Sequence, residues 1–333
     1  MESKHVLVTG GAGFIGSHTA KALAANGFTP VIYDNLAYGH RWAVQWGTLV
    51  EGDIRDRAAL VKTIRQYNIQ AVIHFAAFAY VGESMVRPEI YFDNNVTGSL
   101  TLLDAVLETG VPHIIFSSSC ATYGTPERLP ITEDTLQSPV NPYGETKLIF
   151  ERALRWYSIA HPFTYAALRY FNAAGADAEG AIGEDHTPET HLIPLILDAA
   201  LGGKPIQVFG DDYPTADGTC VRDYIHVSDL ADAHVRALQY LLKGGKSAAM
   251  NLGTGTGYSV REVIAAVQKV TGRDVPHNIA PRRPGDPATL VASPQLAGQL
   301  LGWHPQHSSL ENIVSSAWKW HSNMRRNAPS AGE

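Results

Sequence analysis

Three side chains in this sequence have the types and spacing needed to move a proton. Ser119 ends the apolar run Ile114-Ile115-Phe116 and its serine cluster Ser117-Ser118-Ser119; Tyr143 follows 24 residues later, and Lys147 lies four beyond that. A Tyr and a Lys four apart on a helix project from one face about one turn apart, so the ammonium can lie near the phenol. A phenol titrating near pH 10 is a poor base at neutral pH, but a neighbouring cation favours its ionised form. Tyr143 could then take a proton from a substrate hydroxyl while Ser119 hydrogen-bonds the reacting oxygen. Ser117 reads as a backbone cap at the strand end, and Pro142 suits the first turn of the helix that carries Tyr143. Taken alone, a Tyr-x-x-x-Lys pair is better explained as an exposed helix pair; what lies upstream reverses that reading.

Upstream stands Val6-Leu7-Val8-Thr9-Gly10-Gly11-Ala12-Gly13-Phe14-Ile15-Gly16, which satisfies both G-x-G-x-x-G and G-x-x-G-x-x-G at a strand end and a helix start. Glycine turns the chain tightly there and lets backbone approach a pyrophosphate, whose charge is met by free N–H groups at the helix N-terminus. A second apolar strand ends in Asp34, 18 residues after Gly16, where a carboxylate would accept hydrogen bonds from ribose hydroxyls. Asn35 and Leu36 follow with no arginine for a 2′-phosphate, so the expected cofactor is NAD rather than NADP. Asp53, in Val50-Glu51-Gly52-Asp53, could sit beside the adenine or simply make a turn. With a nicotinamide in place, Lys147 would also orient its ribose, and the cofactor's positive charge would further favour the Tyr143 phenolate.

The elements that must hold these residues follow from the hydrophobic pattern. Val6–Thr9, Val31–Asp34, Ala71–Phe75, His113–Ser118 and Tyr165–Phe171 read as strands alternating with helical stretches, the rhythm of βαβ units in a parallel sheet. Val96, Leu100, Leu103 and Leu107 recur at helical spacing, and Gly110 with Pro112 supplies the stop. From Asn172 the rhythm breaks into the loop-like segments Gly175–Asp185 and Asp211–Gly218, and it returns at Tyr224–Leu242 and Ala249–Gly253. The expected fold is α/β: a Rossmann-type doubly wound parallel sheet with a smaller, discontinuous α/β substrate-binding lobe. Residues 1–171 plus about 224–253 would form the NAD-binding domain, 172–223 and 254–325 the substrate lobe, and 326–333 a disordered tail.

Composition agrees with an enzyme of small ligands. A length of 333 residues exceeds what one core usually organises. Lys plus Arg total 26 against 32 Asp plus Glu, a formal charge of −6, which argues against a nucleic-acid partner. Two cysteines, Cys120 and Cys220, build neither a disulfide framework nor a metal-spaced cluster, so no metal site is expected and a reducing compartment is. No stretch approaches 18 apolar residues, so no membrane partner is expected and the location is expected to be cytoplasmic.

Further segments carry a family resemblance. Val81-Gly82-Glu83-Ser84, Asp93-Asn94-Asn95-Val96, Leu168-Arg169-Tyr170-Phe171-Asn172, Phe209-Gly210-Asp211-Asp212-Tyr213-Pro214-Thr215, Val221-Arg222-Asp223-Tyr224-Ile225-His226 and Ala280-Pro281-Arg282-Arg283-Pro284-Gly285-Asp286, with the glycine turn and the Ser, Tyr and Lys, resemble the extended short-chain dehydrogenase/reductases, and within them the UDP-glucose 4-epimerases. The similarity runs from Val6 to about Trp320. By position it implies NAD contacts from Gly10, Gly13, Phe14, Ile15, Gly16, Asp34, Asn35, Asp53, Ile54, Phe75, Ala76, Asn94, Tyr143, Lys147 and Tyr170. It implies UDP-sugar contacts from Ser119, Tyr143, Asn172, Leu192, Arg222, Tyr224, Arg283 and Asp286. Independently, a nucleoside diphosphate needs guanidinium forks, and Arg222 and Arg283 fall in the irregular lobe.

The resemblance implies reversible inversion at carbon 4 of a UDP-sugar through a 4-keto intermediate, and a homodimer. Glucose and galactose are the first expectation, with N-acetylhexosamines or pentoses as alternatives. Three departures bear on this: Ala79 replaces a lysine common in the family, His191 stands where some members have asparagine, and Leu290 where some have tyrosine at the sugar pocket. Dehydratases of the family carry an Asp-Glu pair after the active-site hydroxyl, whereas Cys120-Ala121 follow Ser119 here. A non-catalytic regulator would have lost the Tyr or Lys and gained a basic face.

Overall fold

Seven short segments make one parallel sheet. In the computed structural model, which describes residues 4–283 and 286–327, these are β1 (Lys4–Thr9), β2 (Phe28–Asp34), β3 (Thr48–Glu51), β4 (Ala71–His74), β5 (His113–Ser119), β6 (Thr164–Tyr170) and β7 (Ala248–Leu252). Their order is β7-β6-β5-β4-β1-β2-β3, with every neighbouring pair parallel. Parallel strands must be covered on both faces. The helices that cover them are α1 (Phe14–Ala25), α2 (Arg57–Gln66), α3 (Ser99–Thr109), α4 (Pro142–Ala160) and, after the shorter α5 (Leu192–Ala200), α6 (Val227–Leu242).

Strand periodicity decides which helix covers which face. Val6 and Val8 of β1 point to one side, into a core with Ala20 and Leu23 of α1 and Leu230 and Leu238 of α6. Leu7 points to the other, against Leu60 of α2, Leu102 and Val106 of α3, and Phe150 and Leu154 of α4. Each such fully buried Leu, Val or Phe stabilises the sheet by about 1.5–3 kcal/mol. Strand order reverses between β1 and β4, which opens a crevice at their carboxyl ends, the place where this architecture takes ligands.

A separate core lies beyond the sheet. Ile193, Ile196 and Leu197 of α5 pack with Tyr224, with Val263 and Val267 of α7 (Val260–Thr271), and with Ile313 and Val314 of α8 (Leu310–Asn327). Short strand pairs, such as Ile206–Phe209 with His277–Ala280, edge this region. Helix α6 and strand β7 return the chain to the main sheet, where β7 pairs with β6. Helix α8 runs through Asn327, past the point where order was expected to end; the rest of the expected tail, 328–333, and Pro284 and Gly285 of the arginine segment lie outside the described residues. Among the described residues no helix is long and apolar enough to cross a membrane.

Candidate active site

The turn between β1 and α1 contains glycines of two kinds. Gly10 has φ +72°, and a Cβ there would meet the Ala76 backbone nitrogen at 2.5 Å; a Cβ on Gly16 would come 2.3 Å from the Gly10 carbonyl. These two are glycine because the protein itself packs against them. At Gly13 an added Cβ would meet nothing closer than the Gly10 carbonyl at 3.4 Å, an ordinary contact. No protein atom excludes a side chain at Gly13, so the space in front of it is open to a ligand. Gly13 caps α1 without a side-chain hydrogen bond, and the first turn, with Phe14 and Ile15, carries no acid. The positive end of the helix is therefore free to meet an anion.

Asp34 closes this turn from the end of β2. It is buried; its Oδ2 accepts the Ala12 N–H at 3.0 Å and its Oδ1 the Leu36 N–H at 2.8 Å. Burial pushes its carboxyl up while these N–H groups pull it back. Each oxygen keeps a lone pair for a ribose hydroxyl. Asn35 and Asp53 meet at 3.1 Å, and Asp53 is held well below the usual carboxylate range by the Arg55 guanidinium. Ile54 is buried against Gly98 and its side chain is packing. Phe75 and Ala76 follow β4, both donating N–H to the Thr9 carbonyl, at 2.8 and 3.1 Å, which lays their backbone against Gly10. These residues fit a dinucleotide: an open glycine cradle, an unopposed helix N-terminus and a ribose-binding carboxylate around one crevice.

Across the crevice, β5 and α4 bring together Ser119, Tyr143 and Lys147. Helix α4 starts at Pro142 behind Asn141, whose side chain accepts the Gly144 N–H at 2.8 Å, and the i, i+4 spacing then stacks the Tyr and Lys. Lys147 Nζ lies 5.7 Å from the Tyr143 ring centroid and 5.0 Å from that of Phe116, and it donates to the Ser117 carbonyl at 2.8 Å. Burial pushes the Tyr143 phenol up to about 12, with Ser119 beside it favouring the ionised form. Burial also draws the Lys147 ammonium down to about 7, and Glu151 pulls the other way. Tyr170 pairs with Ser119 across β5 and β6, and its hydroxyl meets Ser117 Oγ at 2.5 Å. The strand-end cap expected of Ser117 is made instead by Ser119, which accepts the Ala121 N–H at 3.1 Å.

The residues expected on the sugar-nucleotide side are more scattered. Arg222 forms an ion pair with Asp286 and also donates to the Val221 carbonyl at 2.8 Å. Arg283 stacks its guanidinium 4.0 Å from the Phe209 ring centroid. Asn172, whose side chain donates to the Asp223 carbonyl at 2.9 Å, pairs with Tyr224 in a short two-stranded ladder. Tyr224 is buried in the α5–α7 core, and Leu192 opens α5 against the same core. Leu290 lies opposite Arg222, and it and Cys120, the neighbour of Ser119, pack against one small core of Tyr123, Ile131, Phe171 and Ala292.

Two supports for the site were not anticipated from sequence. Asn95, in the π-type turn Phe92–Gly98 that leads into α3, is buried and bonds both the N–H and the carbonyl of Phe78, at 2.8 and 3.0 Å, and Thr146 on α4 at 3.2 Å. Asn94 beside it donates to the Asn95 carbonyl oxygen of the side chain at 3.0 Å. Glu151, one turn beyond Lys147, forms a buried ion pair with Arg169 at 2.6 Å, and Arg169 donates to Tyr123 at 2.7 Å. A polar residue next to a known motif, or at i+4 from Lys147, was the available signal.

The chain matches the NAD dependent epimerase/dehydratase family over residues 6–253. It is 56% identical to a UDP-glucose 4-epimerase of Rhizobium meliloti (strain 1021), over 98% of this chain and 99% of that protein. A crystal structure of UDP-glucose 4-epimerase from Brucella ovis in complex with NAD superposes with a TM-score of 0.93 at 56% identity, covering 95% of this chain and 98% of that one. The Bifidobacterium longum enzyme in complex with NAD+ and UDP gives 0.91 at 42% identity, covering 96% and 98%. With the glycine cradle, the reversed strand order and the Ser-Tyr-Lys cluster, these similarities place the chain in the NAD dependent epimerase/dehydratase family, among its UDP-glucose 4-epimerases.

Proposed function

We propose that this chain catalyses reversible, NAD-dependent epimerisation at carbon 4 of a UDP-sugar, with UDP-glucose and UDP-galactose as the principal pair. The observation that carries the reading is Tyr143 one helical turn from Lys147 and beside Ser119, in the same parallel sheet architecture that carries the open glycine turn. NAD, when bound, supplies the acceptor and then the donor of the carbon-4 hydride. Tyr143 takes the 4-hydroxyl proton and later returns it, Ser119 holds the reacting oxygen, and Lys147 carries the compensating charge. Burial opposes ionisation of both groups, and the positive charge of a bound nicotinamide would favour the Tyr143 phenolate.

Gly10, Gly13, Phe14, Ile15, Gly16, Asp34, Asn35, Asp53, Ile54, Phe75, Ala76, Asn94 and Tyr170 make the cofactor side in this reading. Asn172, Leu192, Arg222, Tyr224, Arg283 and Asp286 make the UDP-sugar side. The arginines grip the diphosphate while the sugar is held loosely enough for the 4-keto form to present its other face. Water loss is disfavoured because Cys120 and Ala121 follow Ser119 where elimination needs an acid and a base.

A second reading, acceptance of UDP-N-acetylhexosamines or UDP-pentoses, rests on Leu290, a side chain smaller than tyrosine that shares a small core with Cys120. We also propose a cytoplasmic homodimer. Free Cys120 and Cys220 support the compartment, and Trp156 and Ile159, exposed on α4, support a helix-mediated interface. Purified protein incubated separately with UDP-glucose, UDP-N-acetylglucosamine and UDP-xylose, with products identified by NMR, tests the function. Carbon-4 epimers of glucose are expected; no epimer from any of the three sinks the proposal.

A further inference from the structure

The segment leading into α5 folds so that Glu184, His186, Glu189 and His191 face one another. One ligating atom from each lies within 4.8 Å of the other three. His191 Nδ1 is 2.7 Å from Glu184 Oε1 and 3.2 Å from Glu189 Oε1. His186 Nδ1 is 3.2 Å from Glu184 Oε1 and 3.6 Å from Glu189 Oε2. Each imidazole therefore faces both carboxylates around a common centre. A tetrahedral zinc ion with bonds of about 2.0–2.2 Å sets its ligand atoms roughly 3.3–3.6 Å apart. Three of the four nitrogen–oxygen spacings, 3.2, 3.2 and 3.6 Å, lie in or next to that range, and the 2.7 Å His191–Glu184 pair has to open for the ion to enter.

Hydrogen bonding accounts for only part of the cluster: His191 Nδ1 meets Glu184 Oε1 at hydrogen-bond distance, 2.7 Å. His186 Nδ1 is buried and has no hydrogen-bond partner among the described residues, although two carboxylate oxygens lie within 3.6 Å. Close approach without donor alignment is what ligands converging on one ion show. Glu184 is 4% exposed, and its charge is set among groups that together offer two imidazole nitrogens and two carboxylates. Glu189 is oriented by the backbone N–H groups of Thr190 and His191, at 2.7 and 2.8 Å, the outer-shell support that metal-binding carboxylates use. A cleft of about 240 Å³ reaches Glu184, His186 and Glu189 between α5 and α8 and gives an ion its route in.

We propose that Glu184, His186, Glu189 and His191 bind one divalent cation of the zinc class. Four protein ligands leave no open position, so the site is structural. The ion ties the start of α5, at Leu192, to the wall formed by Tyr80, whose ring meets His186 edge-on at 6.1 Å. This departs from the expectation of no metal; the spacing Glu-x-His-x-x-Glu-x-His carried the signal, but without cysteines it did not read as a ligand set. The inference does not depend on the reaction proposed above.

NAD-loaded protein stripped with a chelator and titrated with Zn²⁺ against a chromophoric chelator tests the site, with elemental analysis for stoichiometry. One zinc per chain is expected, and Mg²⁺ in tenfold excess should not displace it. Affinity should fall at least tenfold in Glu184→Gln and in His191→Asn with unchanged circular dichroism. His191 is 46% exposed, so its variant keeps the test valid if Glu184→Gln fails to fold. No zinc uptake by the wild-type protein, equal uptake by His191→Asn, or displacement by Mg²⁺ would each overturn the proposal.

Discussion

Lys147 Nζ lies 5.7 Å from the centre of the Tyr143 ring while donating a 2.8 Å hydrogen bond to the Ser117 carbonyl. The lysine is thus anchored to the strand that ends in Ser119, and one helical turn sets its distance from the phenol. If its role is to supply charge, Lys147→Met should lower turnover at pH 7 by about 10²–10³-fold. The phenol, raised to about 12, would then have to ionise without help, so the variant's rate should climb steadily with pH. Steady-state rates from pH 6 to 10 check this; a flat profile in the variant would contradict it.

The glycine turn yields a paired test. Gly16→Ala places a Cβ 2.3 Å from the Gly10 carbonyl and must shift backbone, so it should destabilise the protein with or without cofactor. Gly13→Ala meets only an ordinary 3.4 Å contact, so the fold should hold while NAD retention falls. Thermal melts and the NAD content of each purified variant separate the two. Equal loss of stability in both would show that the protein, not a ligand, requires Gly13.

Acid stability should depend on buried His74. Ser99 Oγ donates to the Asn95 carbonyl at 2.6 Å, so it accepts from His74 Nε2 at 2.8 Å, leaving Nδ1 to accept the Thr9 hydroxyl at 2.7 Å. This neutral imidazole is pushed down to about 3 by burial, with Lys147 adding to the effect, and His18 and His234 are held near 4 by burial. Each folded value lies below the unfolded one near 6.5. The contribution is complete above pH 6.5 and is lost as pH falls toward 3, at up to about 1.4 kcal/mol per pH unit for each group. Urea unfolding at pH 7, 6 and 5 should show a smaller loss for His74→Gln than for wild type; parallel losses would remove His74 from the account.

Arg169 offers a stability test away from the reacting atoms. Removing one member of a buried pair leaves the other charge uncompensated, at a cost of about 3–5 kcal/mol. Arg169→Met should therefore lower the unfolding midpoint sharply, because Glu151 is 6% exposed and would lose its partner. A loss below 1 kcal/mol by urea titration would mean that Glu151 is solvated or protonated in the wild type.

The parts that were legible in the sequence are those encoded locally. The glycine turn, the acid at the end of β2 and the Tyr-Lys spacing each lie within one βα unit or one helical turn, so spacing alone placed them. Strand β3, Thr48–Glu51, was passed over because it is a four-residue edge strand, partly exposed, with too little apolar pattern to register. Asn95 and the Glu151–Arg169 pair stand beside legible motifs, but their partners lie on other elements, so spacing within one element does not name them. The Arg222–Asp286 pair spans two segments that the short strands Val221–Arg222 and Thr289–Leu290 bring together.

The central claim is that Tyr143 moves the proton while the cofactor stays bound. Tyr143→Phe, assayed by NMR for carbon-4 interconversion of UDP-glucose and UDP-galactose alongside its NAD content, tests this most directly. The account predicts near-stoichiometric NAD, an unchanged fold and turnover reduced by about 10²–10⁴-fold. Near-normal interconversion by that variant would contradict it.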